Sequence, residues 1–293
     1  MSEDLYLYLY LKIINVAGSV FISALLCNVL TNQYLLIIKK KIWIERRTAG
    51  NYCFMLYLLC AGDVSMLEAD IVLGHVTGKE GPPVPIMAHP PATTSDLSLS
   101  DFLSTVAQHN NVNSKQKGVK LDFKSIEAFE KAQALIVSFP LWLNADILPG
   151  PVKATTKPVD PAKFLSLAAE HPRAVLSVGW TTNFGGNITE GEYSREQIGT
   201  MLRTLHENHV NQTVTFPVRA AIASNSQPVV LDLLRETAYL NSSMTVWSAE
   251  GDAVEVDRLR ALILTVGLER TYLDVPKDLA ERLHLPPAAN VKN

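Results

Sequence analysis

The stretch MLEADIVL, residues 66 to 73, decides the fold class because it is an apolar strand that carries two carboxylates, Glu68 and Asp70. Buried parallel strands normally read as unbroken apolar residues, and burying a carboxylate without a partner is costly. Polar groups toward the carboxyl end also mark the stretches GVKLDFK (118–124), LWLNADI (141–147), AVLSVGW (174–180) and VTFPVRA (214–220). The pattern predicts parallel strands whose polar ends gather at one open barrel mouth.

Helical segments with start signals separate these strands. Asp160-Pro161 supplies an N-cap and a proline at the first helical position, while Ser194 to Gln197 and Asp252 to Glu255 have the spacing of a capping box. With further strands at about 244–248 and 270–275, the chain alternates strand and helix. Such alternation requires a parallel sheet with right-handed crossovers. We therefore predict an α/β fold, a TIM-type (β/α)8 barrel whose first strand is atypical or missing, with an apolar N-terminal extension.

Residues 1–60 differ from the barrel segment, which we place at residues 61–285. Residues 5–38 are almost entirely apolar and are followed by five basic residues between 39 and 47. This segment is either a membrane anchor or an aberrant N-terminus that replaces a true first strand; alternatively, Cys53 to Leu59 folds back as the eighth strand. An anchor would leave the barrel cytosolic by the distribution of positive charge. The tail 286–293 is predicted to be disordered.

The composition limits which classes of binding partner and which cellular compartment we expect. The net charge of -3 and the absence of a basic stripe with interleaved aromatics argue against nucleic acid. All three cysteines lie in the first 60 residues, so the barrel segment can form neither an internal disulfide nor a metal-thiolate site. Sequons for N-glycosylation begin at Asn187, Asn211 and Asn241, which suits secretion, although roughly two would arise by chance. Localisation is thus membrane-associated or extracellular, with a cytoplasmic location as the alternative.

The order of seven motifs resembles the menorin-like family over about residues 62–275. These motifs are MLEADI, IMAHPP, KLDFK, WLNADILPGP, LSVGWTT, TFPVRAA and MTVW. The domain of that family is similar to the barrels of glycerophosphodiester phosphodiesterases and phospholipase D toxins. The resemblance implies a divalent ion on the carboxylates of Glu68, Asp70 and Asp122, with His89 as one of two acid–base histidines. The other histidine should precede Glu68, but this chain has no histidine before His75.

The residues themselves support a charged site at the mouth. Glu68 and Asp70 lie two apart on a strand and so share one face, and hard oxygen ligands at this spacing suit Mg²⁺ or Ca²⁺. Asp122 and Lys124 repeat the spacing one strand later, where the lysine could meet a phosphate oxygen and assist catalysis. The alternative is a closed salt-bridge network in which Lys124 pairs with Glu68, Asp70 or Asp122.

Four further residues are candidates for substrate binding. Asn144 and Asp146 share one face of their strand, just before a rigid Pro-Gly-Pro turn, and would orient a substrate. Trp180, like Trp247, could floor a pocket for a lipid or sugar, or could simply pack. Arg219 is either an anion ligand or the partner of Asp146 or Glu68.

Three functions follow from this site. The first is a metal-assisted phosphodiesterase in which His89 and Lys124 are catalytic and the substrate is a phospholipid or glycerophosphodiester. The second is a non-catalytic recognition module that binds a lipid or acidic ligand and a protein partner. The resemblance favours this reading, since menorin-like proteins are associated with neuronal cell-surface signalling and tissue maintenance. The third, a glycoside hydrolase, needs two unpaired carboxyls across an open cleft.

Overall fold

The computed structural model describes residues 64–136 and 140–286, the isolated positions Met55 and Leu59, and the backbone of residues 40–43. The predicted anchor at residues 5–38 lies outside the described residues, as does the tail after Pro286. In the described part of the chain, no helix is both long and apolar enough to cross a membrane.

The fold is built on one curled sheet of mostly parallel strands. Eight strands follow one another across it in the order β1 (Lys40–Trp43), β2 (Val64–Val76), β5 (Gly118–Phe123), β6 (Leu141–Leu148), β7 (Val175–Trp180), β8 (Val214–Arg219), β9 (Ser243–Trp247) and β10 (Thr271–Asp274). Each pairs in parallel with its neighbours. Two short strands, β3 (Val84–Met87) and β4 (Thr94–Ser95), attach to the long β2, and β3 runs antiparallel to it. The α/β prediction is confirmed at the level of a curled half-barrel.

Helices connect the successive parallel strands from β2 onward, and a last helix follows β10. They are α1 (Leu99–Val112), α2 (Ile126–Ala132), α3 (Pro161–Ala169), α4 (Arg195–Glu207), α5 (Ala220–Ala223), α6 (Gln227–Glu236), α7 (Val256–Val266) and α8 (Lys277–Arg282). Two predicted caps are confirmed: Asp160 accepts a hydrogen bond from the Lys163 amide, and Ser194 forms a reciprocal capping box with Gln197. The third is wrong, because α7 begins after Glu255 and Asp252 lies in the preceding loop.

The outer face of the sheet packs against these helices. The Phe129 ring on α2 lies 4.4 Å from that of Phe123 on β5 and 5.0 Å from that of Phe164 on α3, measured between centroids. All three side chains are almost fully buried. Burial of such rings, at about 25 cal/mol per Å² of apolar surface, is the main force that holds helices on the sheet. The alternate, inward-facing residues of the strands are therefore left to form the functional face.

The N-terminal segment does supply a strand, but from a different place than expected. β1 pairs with β2 so that Trp43 lies opposite Glu68. The prediction that Cys53 to Leu59 forms the eighth strand is wrong at the two described positions, since Met55 and Leu59 are helical. The four residues of β1, KKIW, include no histidine. The expected first-strand histidine is therefore absent from the strand that lies beside Glu68.

Candidate functional site: a charged mouth with an internal lysine cation

Strand register brings the predicted polar residues onto one face of the sheet. Glu68 on β2 lies opposite Lys120 on β5, and one pleat further along, Asp70 lies opposite Asp122. Asp122 in turn lies opposite Asn144 on β6. Because side chains two apart share a face, these residues form two levels, a deep one and one at the carboxyl edge. We call the carboxyl edge of the sheet the mouth.

The deep level holds an ion pair that the sequence analysis missed. The Lys120 ammonium lies 2.7 Å from Oε1 of Glu68, and the two side chains are 4% and 0% exposed. Glu68 therefore has a lysine partner other than the one considered from sequence. The alternation of Lys120 and Asp122 in β5 with Lys124 directly after it carried the signal, because the three positions share a face.

At the mouth, one lysine bridges two carboxylates. The Nζ atom of Lys124 lies 2.7 Å from Oδ1 of Asp70 and 2.7 Å from Oδ2 of Asp122. Burial alone would lower the pKa of Lys124, but the attraction of Asp122 and Asp70 outweighs it and holds that pKa above the ordinary range. The lysine is therefore a fixed positive charge between the two carboxylates.

The two carboxylates differ in their proton affinity. Burial raises the pKa of Asp70 to about 6, and the charge of Asp122 adds to this, against the opposing pull of Lys124. Burial also disfavours charge on Asp122, but Lys124, Lys120 and a hydrogen bond from Asn144 together hold its pKa below the ordinary value. Asp122 is therefore the permanent anion of the pair, and Asp70 is the one that can take up a proton near neutrality.

Asn144 is oriented by a neighbouring strand. The hydroxyl of Ser177 on β7 donates to Oδ1 of Asn144 at 2.6 Å. Because Oδ1 accepts this bond, the Nδ2 end of the amide is the one that faces Asp122. Further round the sheet, the hydroxyls of Thr215 and Thr245 lie 2.8 Å apart. In the described structure the group that Asn144 contacts is Asp122, and its role in orienting a substrate stays a prediction.

Asp146 differs from Glu68, Asp70 and Asp122 because it is accessible to solvent and has no ion-pair or hydrogen-bond partner for its carboxyl among the described residues. The pairing of β6 with β7 shifts register just after Asp146, a bulge of the kind that re-aims a side chain. A Cβ built on Gly179 would lie 3.3 Å from Oδ1 of Asp146, so the missing side chain leaves room for this carboxyl. Although the residue is accessible to solvent, protein atoms lie close around its carboxyl and remove part of its hydration. This desolvation raises the pKa of Asp146 to about 7, with repulsion from Asp122 as the next cause.

Arg219 lies at the mouth but is engaged with a residue that the sequence analysis did not consider. Its Nε and Nη2 atoms donate to the two carboxylate oxygens of Asp252 at 2.9 and 2.7 Å. The guanidinium carbon also lies 5.1 Å from the centroid of the Phe184 ring and 4.9 Å from that of Trp247. The partners proposed from sequence, Asp146 and Glu68, are not those observed. Arg219, at the end of β8, thus contacts the loop after β7 through Phe184 and the loop after β9 through Asp252.

The remaining candidates stand apart from the charged cluster. Trp180 is buried on the helix-facing side, where its ring packs 5.2 Å from Tyr193 and 6.4 Å from Phe216. Because Trp180 alternates with the inward Ser177 and Gly179, the strand period could have indicated this. His89 is exposed, and its Nδ1 lies 2.7 Å from the Pro90 carbonyl oxygen. The backbone places it near the mouth, since the Ala88 amide donates to the Asp70 carbonyl.

The residues predicted to hold Mg²⁺ or Ca²⁺ do not fit a three-carboxylate site in the arrangement described. Asp70 and Asp122 converge on one point, but the Lys124 ammonium lies there, and Glu68 is engaged with Lys120 one level deeper. In the described part of the chain, no three His, Cys, Asp or Glu side chains form a group suited to a metal ion. The geometry is that of the predicted alternative, a salt-bridge network.

Comparison with known proteins agrees with this architecture. The family profile described as the Menorin N-terminal domain matches residues 51–280. The chain belongs to the menorin family. It is similar to the human Protein FAM151B, with 36% identity over 203 residues, which cover 66% of this chain and 68% of that protein. The matched region contains all the described strands from β2 to β10, and therefore the whole charged mouth.

Proposed function

We propose that this menorin-family chain is a non-catalytic recognition module that binds the zwitterionic headgroup of a phospholipid at its mouth. The observation that carries the proposal is the position of Lys124 Nζ, 2.7 Å from both Asp70 and Asp122. In a phosphodiesterase-type barrel, a cation held by carboxylates neutralises the substrate phosphate. Here the chain supplies that charge from its own lysine.

The charges at the mouth suit a ligand that carries both signs. The Lys124 side chain is 22% exposed, so its ammonium can still reach a phosphate oxygen. Asp146 offers an accessible carboxyl that lacks an ion pair in the described part of the chain, and a ligand ammonium could bind there. A purely anionic ligand would be repelled by Asp122 and Asp146, whereas a zwitterion meets a complementary charge at each end.

We further propose that the sheet closes as a complete eight-stranded barrel. The support is that β1 lies beside β10, the strand at the other end of the sheet, although no backbone ladder joins them among the described residues. Closure would remove both exposed sheet edges and enclose the deep Glu68–Lys120 level.

The competing function is a metal-dependent phosphodiesterase. It is favoured by the convergence of Asp70 and Asp122 on one cationic position, and by the place of His89 directly after the residue bonded to Asp70. It requires the Lys124 ammonium to leave that position. The glycoside hydrolase alternative needs two unpaired carboxyls, and at the described mouth only Asp146 lacks an ion pair.

Vesicle flotation combined with a turnover assay tests the proposal. Vesicles of phosphatidylethanolamine and phosphatidylcholine should carry the protein to the top of the gradient, and vesicles of phosphatidylglycerol should not. Asp146→Asn should reduce the bound fraction, while the exposed control Asp278→Asn should not. Hydrolysis of glycerophosphocholine in Mg²⁺, abolished by Asp122→Asn, would instead establish the phosphodiesterase.

A further inference from the structure

Three sequons lie within the described chain, and the structure places two of them together. Asn211 lies between α4 and β8, and Asn241 lies just before β9. Loops that precede parallel strands lie at the amino edge of the sheet, which is opposite the mouth. β8 and β9 are neighbours, with Thr215 opposite Ser243, so these two loops are adjacent. Asn187 is different, because it lies in the loop after β7, at the mouth.

The two asparagines have side chains that can carry a substituent. Asn211 and Asn241 are exposed, and within the described residues neither side-chain amide makes a hydrogen bond. Asparagines outside the sequons are frequently engaged: the side chains of Asn144, Asn208 and Asn225 accept or donate hydrogen bonds. Asn241 also has φ 49 and ψ 43, a left-handed conformation in the exposed turn that ends the preceding 3₁₀ helix.

We propose that Asn211 and Asn241 carry N-linked glycans, side by side on the amino edge. In the transfer, the Nδ2 of asparagine forms a bond to the anomeric carbon of an oligosaccharide held on a lipid diphosphate. The amide loses one proton, and the lipid diphosphate departs as the leaving group. Since Ser243 is buried in β9, transfer at Asn241 precedes folding of that strand. This reaction takes place in the secretory pathway, so residues 64–286 face its lumen or the cell exterior.

The consequence is a division of the surface. Two bulky, hydrated glycans on adjacent loops exclude protein partners from the amino edge and leave the mouth at the opposite edge open. Glycan attachment at these two loops is independent of what the mouth binds.

The test is expression of the full chain in mammalian cells, followed by treatment with a peptide N-glycosidase. The untreated protein should migrate more slowly than the treated protein, and Asn211→Gln and Asn241→Gln should each remove one step of the difference. Thr213→Ala retains the asparagine but destroys its sequon, so it should match Asn211→Gln. Asn111→Gln, an exposed asparagine outside any sequon, is the control and should change nothing.

Peptide mass spectrometry gives the site-by-site result. Asn211 and Asn241 should each carry hexose and N-acetylhexosamine. Comparison with the Asn187→Gln variant shows whether the third sequon also carries a glycan. If the glycosidase leaves the migration unchanged, or if Asn187 alone is modified, the proposal is overturned.

Discussion

The ammonium of Lys120 lies 2.7 Å from the carboxylate of Glu68, the residue directly opposite it across β2 and β5, and both side chains are almost completely buried. Lys120→Met should lower the free energy of unfolding by about 3–5 kcal/mol, because it leaves a buried carboxylate without this ammonium. The double variant Glu68→Leu/Lys120→Met should recover most of that loss. Urea denaturation measures both; equal losses in the single and double variants would show that the pair is not coupled.

The raised pKa of Asp146 gives a stability that falls with rising pH. A folded-state pKa of about 7, above the ordinary 3.8, means that the native state binds more protons between those values. This contribution is therefore complete below the ordinary pKa and is lost as the pH rises through about 7. Asp146→Asn should flatten the dependence of the melting temperature on pH in that window and make the protein more stable than wild type above it. A variant that retains the wild-type slope would refute the assignment.

Gly179 leaves space that Asp146 uses. A Cβ at this position would meet Pro217 Cγ at 2.7 Å and Asp146 Oδ1 at 3.3 Å. Gly179→Ala should therefore cost about 1–3 kcal/mol of stability and shift the titration of Asp146. Gly199→Ala, in the middle of α4 with only an ordinary contact to Arg203 at 3.5 Å, should stabilise by about 0.5–1 kcal/mol. Chemical denaturation compares the two, and the opposite signs distinguish packing from the general effect of a methyl group.

Arg219 should control the loop after β9. Arg219→Lys cannot donate through two parallel N–H groups to Asp252, so amide hydrogen exchange in residues 248–255 should accelerate while α3 stays protected. Arg235→Lys is the control, because its contact with Asp232 is made by a side chain that is 70% exposed. Unchanged exchange in the loop of the Arg219 variant would mean that the arginine does not hold it.

Much of the fold could be predicted from sequence because strand alternation and helix caps are local signals. The stretch MLEADIVL marked the functional face, since Glu68 and Asp70 could share a face only as a strand. The seven parallel strands from β2 onward follow the predicted order. The position of β1 could not be predicted, because KKIW has neither the length nor the pattern of a buried strand.

The sequence predicted most residues of the charged site, but it did not predict which lysine pairs with which carboxylate. Which lysine meets which carboxylate depends on the register between strands: Lys120 and Lys124 share a face but lie two pleats apart, and they pair with carboxylates at different levels. The Arg219 partner was missed for a related reason, since Asp252 lies 33 residues away in a loop. Asp252 and Glu255 have the spacing of a capping box, so Asp252 was assigned a local role at a helix start, and an ion pair with Arg219 was not considered.

If Lys124 acts as the cation of this mouth, titration calorimetry with Mg²⁺ is the most direct test. The wild-type protein and the exposed control Lys131→Met should bind no Mg²⁺, while Lys124→Met should bind one ion between Asp70 and Asp122 and gain melting temperature in its presence. Stoichiometric binding of Mg²⁺ to the wild-type protein, with Lys124 present, would contradict the account.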